Sequence, residues 1–179
     1  MRQLSLFDDM PVPQTATRVL PPDSTGMDLD EAKSLLESHL QKGMRCPCCN
    51  QFAKIYRYRF SQNICRYLMV LYRVRRESDR FVHVTELLGI DPMITASRDF
   101  LRPAFYGLIE EAANNDPEKK KRSGLWRLTE KGVAFCEKRI AIPKYVVIYN
   151  NDVIGYEGEL MHIDDFNGDF FSYAELMAR

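Results

Sequence analysis

The chain has 179 residues, is 45% hydrophobic and balances 25 basic against 25 acidic side chains, enough for a real core and one or two compact domains. No run approaches the roughly 18 apolar residues of a membrane span, and the N-terminus lacks the apolar stretch of a secretory signal, so a cytoplasmic protein is expected. The zero net charge hides a sorted pattern: residues 1–41 carry 3 basic and 7 acidic side chains, 42–80 carry 10 and 2, 81–139 carry 10 and 9, and 140–179 carry 2 and 7.

Residues 1–26 show neither helical nor strand periodicity and are rich in Pro, Thr and Ser, so they form an expected disordered tail. At its tip stand Gln3, Leu4, Ser5, Leu6 and Phe7. Large hydrophobes at the end of such an arm are commonly a binding element. This run resembles, position for position, the pentapeptide by which bacterial polymerases and repair proteins engage the DNA sliding clamp. The resemblance implies that the Gln3 amide hydrogen-bonds at the rim of a hydrophobic cleft while Leu6 and Phe7 fill its deep subsite. The eukaryotic clamp motif fits badly, because it wants two aromatics where Asp9 and Met10 stand. Burying Leu6 and Phe7 is worth about 2–3 kcal/mol each, partly offset by ordering, which implies micromolar affinity. A flexible linker of about 19 residues spans roughly 24 Å, so a tethered domain could touch DNA emerging from the ring at raised local concentration. The competing reading is a frayed terminus that folds back on the domain.

A winged-helix domain with a Cys-rich turn at 44–51 is expected over 27–139. Asp28 and Glu31 have capping-box spacing, Leu29, Ala32, Leu35, Leu36 and Leu40 form one stripe, and Gly43 marks a helix stop. Cys46-Pro47-Cys48-Cys49 follows, then an aromatic strand from Phe52 to Phe60. Three clustered cysteines suit thiolates in a reducing compartment better than a disulfide framework. The turn resembles one knuckle of a zinc ribbon, in which Cys46 and Cys49 would ligate the metal and Asn50, at positive φ, would close the loop. The remaining two zinc ligands would come from Cys48, Cys65, His39, His83 or another subunit. The alternative is a degenerate knuckle without metal. A nucleophilic cysteine has no interpretable histidine–acid pair to activate it.

Ser61 or Asn63 can cap a helix from about Gln62 to Arg76, with Ile64, Leu68, Leu71 and Tyr72 inward and Arg66, Arg73, Arg75 and Arg76 outward. An extended segment at Phe81–Val84 precedes a short helix capped by Thr85 and ended by Gly89. A third helix is expected over 95–106, shortened or bent at Pro103 and closed by Gly107. Strands at 108–112 and 125–129 flank a loop, and a helix covers 130–138. Trp126, Phe100, Phe105 and Phe135 read as core.

Three helices and then a hairpin is the order of a winged helix-turn-helix. The run from Gly107 through Leu128-Thr129-Glu130-Lys131-Gly132 resembles the wing and following helix of bacterial winged-helix regulators. By that resemblance Ser97, Arg98 and Arg102 face the major groove, Lys119, Lys120, Lys121 and Arg122 form a wing tip on phosphate, and Arg73 and Arg76 add basic surface. Asp99 and Pro103 depart from a good recognition helix. The competing reading is a winged helix used for protein contacts, with a merely solvated lysine loop.

Residues 140–179 are expected to pack on the same domain as a hairpin turning at Asn150-Asn151-Asp152, then one or two short helices around Gly168. The whole order resembles uncharacterised bacteriophage and prophage proteins, a resemblance that implies no activity. The fold expected is therefore α+β with a winged-helix core. The function expected is a non-enzymatic DNA-replication accessory or modulator that binds the clamp and double-stranded DNA. The alternatives are a transcriptional regulator, which would act as a symmetric homodimer, and a decoy that blocks the clamp without touching DNA. For an enzyme the chain offers no nucleotide-binding glycine loop, metal-nuclease carboxylate set or coherent triad.

Overall fold

The computed structural model describes residues 26–94, 98–114 and 123–178 of an α+β chain. It divides into two compact units, Met1–Lys54 and Ile55–Arg179. In the first, α1 (Leu29–His39) starts on the predicted capping box: the Asp28 carboxylate accepts from Asp30 and Glu31 amides at 2.9 and 2.8 Å, and Glu31 returns the bond to the Asp28 amide. Gly43, at φ +85°, follows the helix end and donates its N–H to the His39 carbonyl. Strands β1 (Met44–Arg45) and β2 (Phe52–Ala53) then form a minimal antiparallel hairpin around the cysteines. The predicted apolar stripe is mostly unfilled. Of residues 26–54 only Ala32 is fully buried, and Leu29 is 60% exposed.

The second unit is built round α2 (Gln62–Glu77), whose ends fall within a residue of the expectation. From Ile64 to Tyr72 every side chain is buried, so this helix is enclosed on all sides rather than amphipathic. That corrects the outward placement of Arg66. It is only 9% exposed, and its guanidinium donates twice to the Asp91 carboxylate at 2.7 and 3.0 Å and once to the Phe170 carbonyl. A fully wrapped helix can keep an arginine only by supplying such a partner; removing one member of a buried pair typically costs about 3–5 kcal/mol. Ser61 occupies the N-cap position, yet its hydroxyl makes no capping bond.

Around α2 lie β4 (Val82–His83), α3 (Val84–Ile90), a 3₁₀ turn (Arg98–Leu101), α4 (Arg102–Phe105), β5 (Ile109–Glu111), β6 (Leu125–Leu128) and α5 (Glu130–Cys136). The strands form a sheet ordered β4-β6-β5, antiparallel throughout. Two local expectations need correcting. The cap of α3 is His83, whose ring Nδ1 accepts from the Thr85 amide, and the helix runs past Gly89. Within its described residues, 98–106, the helix expected over 95–106 is a 3₁₀ turn followed by one turn of α4, with Pro103 at the start of α4 instead of bending a longer helix. Proline lacks an N–H and fits the first turn, where that donor has no intrahelical acceptor.

The Leu128–Gly132 run owes each residue to a contact. Leu128 is buried; Thr129 caps α5 by accepting from the Gly132 amide and donates its hydroxyl to the Gly107 carbonyl at 2.6 Å. Glu130 pairs with Arg75, and Lys131 donates to the Tyr106 carbonyl at 2.7 Å. At Gly132 an added Cβ would stand 2.0 Å from the Leu108 carbonyl oxygen. The motif clamps the end of α4 against α5.

Strand β3 (Tyr56–Arg59), β7 (Ile142–Tyr149) and β8 (Asp152–Met161) form the other sheet of this unit, ordered β3-β7-β8. The β7–β8 turn falls at Asn150 and Asn151, with φ of 51° and 69°, as the turn chemistry predicts. A 3₁₀ turn (Ile163–Phe166) and α6 (Tyr173–Ala178) complete the chain on either side of Gly168. Trp126 and Phe135 lie in the core, and Phe100 and Phe105 pack against it. Among the described residues no helix is long and apolar enough to cross a membrane.

Gly132→Ala tests the clamp in this unit. Helix propensity alone favours alanine by about 1 kcal/mol. The clash is with backbone rather than a movable side-chain tip, so a net loss of about 1–3 kcal/mol is expected, seen as a lower urea midpoint at unchanged slope.

Candidate nucleic-acid interface and cysteine knuckle

The basic residues expected to meet DNA fall into three groups. Ser97 and Lys119, Lys120, Lys121 and Arg122 lie outside the described residues, the last four within the connection between β5 and β6. Arg98 opens the 3₁₀ turn. Arg102, Arg73 and Arg76 are fully described. Arg102 is engaged internally: it pairs with Asp99 at 2.9 Å and lies 4.5 Å above the Tyr58 ring. Asp99 thus satisfies the neighbouring arginine, which leaves Arg102 poorly placed to read bases. Arg73 is half-buried and Arg76 exposed, and among the described residues neither takes part in an ion pair.

Four of the eight arginines of the 42–80 stretch, Arg57, Arg66, Arg75 and Arg80, meet acids within the same unit. Arg57 pairs with Glu157 at 2.7 Å and stacks on Tyr145, Arg66 pairs with Asp91, and Arg80 pairs with Glu86. Arg75 contacts both Asp79 and Glu130. Arg127 joins the same network through Glu110 at 2.6 Å and Asp79 at 3.6 Å. These hydrogen bonds hold Arg57, Arg80 and Arg127 above the usual guanidinium range and pull Glu86 below the usual carboxylate range. The excess of positive charge along the sequence is therefore offset in space in part: four of the ten basic side chains of 42–80 are paired.

The cysteine turn has the expected geometry. The Cys46 amide donates to the Gln51 carbonyl and the Asn50 amide to the Cys46 carbonyl, both at 2.8 Å. Asn50 sits at φ 59°, and Arg45 donates to its carbonyl at 3.1 Å. Backbone N–H groups of Cys49 and Cys48 point at the Cys46 sulfur and lower its pKa, with smaller help from the neighbouring thiols. Desolvation and the other two sulfurs raise Cys48. The Cys49 and Cys48 amides favour the thiolate form of Cys46.

The other proposed ligands lie in different settings. Cys65 is fully buried in α2, and burial and the neighbouring Cys136 push its thiol up. Cys136 donates to the Leu68 carbonyl and is likewise raised by burial. The His39 Nδ1 is held by the Leu35 carbonyl and Ser38 hydroxyl, and the His83 Nδ1 by its capping role. Among the described residues no group of three or more His, Cys, Asp or Glu side chains is placed to hold a metal ion. Cys46 and Cys49 thus supply half of a tetrahedral donor set.

Sequence reading missed an open groove of about 680 Å³ beside the start of α2. Phe60, Met93, Met161, Phe166 and Phe170 line it, with the Ser61 hydroxyl buried and, among the described residues, without a hydrogen-bond partner. These residues come from three separated parts of the chain, so no local pattern announces them.

No protein-family model matches the chain, and neither a curated protein nor a solved structure matches it.

Thiol counting tests the two cysteine settings. With reduced, metal-free native protein, an aromatic disulfide reagent is expected to react promptly with three thiols, Cys46, Cys48 and Cys49, and with all five only in denaturant. Five fast thiols in the native state would contradict the burial of Cys65 and Cys136.

Proposed function

We propose that this protein is a non-enzymatic DNA-replication accessory or modulator that docks on the bacterial sliding clamp through Gln3, Leu4, Ser5, Leu6 and Phe7. The observation that carries the reading is the five-residue match itself, followed by a stretch whose composition suits a flexible linker. The Leu6 and Phe7 side chains supply the apolar anchor and the Gln3 amide the orientation. Such a short anchor gives micromolar affinity, adequate for a partner retained by proximity.

We further propose that the element order α2, β4, α3, 3₁₀ turn with α4, β5 and β6 is a winged helix, an assignment supported by the antiparallel β4-β6-β5 order. In this reading the connection bearing Lys119, Lys120, Lys121 and Arg122 is the wing and contacts phosphate, joined by Arg73, Arg76 and Arg98. Arg102 keeps its internal role with Asp99 and Tyr58. Contacts of that kind position the protein on duplex DNA without specifying sequence. The internal pairing of so many arginines favours, as a second reading, a clamp-directed modulator that makes no DNA contact at all.

Calorimetry of the intact chain against purified bacterial clamp should give saturable micromolar binding, and L6A/F7A should weaken it at least tenfold. Absence of saturation into the high micromolar range would refute the clamp assignment. Separately, replacing Lys119, Lys120, Lys121 and Arg122 with alanine should flatten the logarithmic salt dependence of duplex binding by about 0.9 for each phosphate no longer neutralised. An unchanged slope would favour the modulator that leaves DNA alone.

A further inference from the structure

The knuckle is well formed yet short of ligands. The chain has five cysteines and three histidines, all within the described residues. Cys65 and Cys136 are locked in the core of the second unit, the His83 ring caps α3, and His162 takes the N-cap position of the following 3₁₀ turn, where its backbone N–H donates to the Asp165 carboxylate. His39 bonds back onto its own helix through Nδ1 alone, but among the described residues no group of three donors that would add it or any other to Cys46 and Cys49 is formed. A tetrahedral soft-metal site needs two more donors.

A second observation points the same way. Residues 26–54 form one helix and a hairpin of two-residue strands, with Ala32 as their sole fully buried side chain. Units this small usually need a metal, a disulfide or oligomerisation to hold their shape. Met27, Leu29 and Phe52 in the same unit are 39%, 60% and 56% exposed, leaving apolar surface for another chain to cover. A metal shared with a second copy meets the ligand shortage and the missing core together.

We propose that Cys46 and Cys49 from two copies of this chain hold one Zn²⁺ as a tetrahedral tetrathiolate, joining two knuckles into a homodimer. Four thiol protons leave to solvent as the four Zn–S bonds form, with no change of oxidation state. The resulting site carries a charge of −2, and one Arg45 from each knuckle, already bonded to the Asn50 carbonyl, brings +1 to its edge. Cys48, which is exposed, stays outside the donor set. The inference does not depend on clamp or DNA binding.

The test uses the full chain, purified reduced and loaded with Zn²⁺, with metal content by mass spectrometry and molar mass by light scattering. About one zinc per two chains on a dimer that chelation returns to monomer is the expected result. One zinc per monomer, or no retained zinc, overturns the proposal. Co²⁺ titration adds an optical readout: tetrahedral tetrathiolate bands should saturate near one Co²⁺ per two chains and persist unchanged in C48S. Saturation at one per chain, or weakened bands in C48S, would refute the donor set. C46S and C49S should each lose metal and dimer while the emission of Trp126, buried in the other unit, stays native. Dimers that survive both substitutions would also refute it.

Discussion

The second unit depends on one constraint: α2 is enclosed on every side from Ile64 to Tyr72, and that stretch carries an arginine, Arg66. Desolvating a lone guanidinium is prohibitive, so the fold must deliver a carboxylate to it. Asp91 does so from just beyond α3, and it also receives the Met93 amide at 3.0 Å. The same guanidinium reaches Phe170, more than a hundred residues from Arg66 in sequence. One side chain thereby fixes the turn after α3 and the C-terminal segment relative to the central helix. The apolar neighbours of α2, from Leu87 and Leu108 to Phe135, Ile163 and Leu176, then fill the space around it.

Charge in this chain teaches a related lesson. A run of ten basic and two acidic residues over 42–80 suggests an electropositive face. Folding places Glu157, Asp91, Glu130 and Glu86 against four of the basic residues, Arg57, Arg66, Arg75 and Arg80. Several of these are exposed pairs and individually contribute little to stability. Their main effect is on the surface field, which they reduce by neutralising it locally. Among the described residues of 42–80, the basic groups that the ion pairs leave over are Lys42, Arg45, Lys54, Arg59, Arg73 and Arg76.

What was legible in the sequence was local chemistry. The capping box at Asp28, the positive φ of Asn50, the ends of α2, the Thr129 start of α5 and the Asn150-Asn151 turn each rest on a few neighbouring residues, and each is present. What was not legible depends on partners far along the chain. Arg66 fits the outward stripe of an amphipathic helix until the elements that cover it are known. The short α4 was hidden because 3.6-residue periodicity does not distinguish one long helix from a 3₁₀ turn followed by a single α-turn. The pairing of β3 with β7 links residues nearly ninety positions apart, beyond the reach of any turn signal. The clamp peptide is the reverse case: its five residues are the most readable feature of the chain, and they lie outside the described structure.

The placement of α4 has a mechanical implication. Four residues cannot sustain a helix on propensity alone, because nucleation outweighs the few bonds formed. Its end is instead gripped from two directions: Lys131 and Thr129 hold Tyr106 and Gly107, while the Tyr156 hydroxyl bonds the Phe105 carbonyl at 2.7 Å and its ring rests on Tyr106. The segment is thus held by tertiary contacts, from the start of α5 on one side and from β8 on the other, and would not persist as a helix without them.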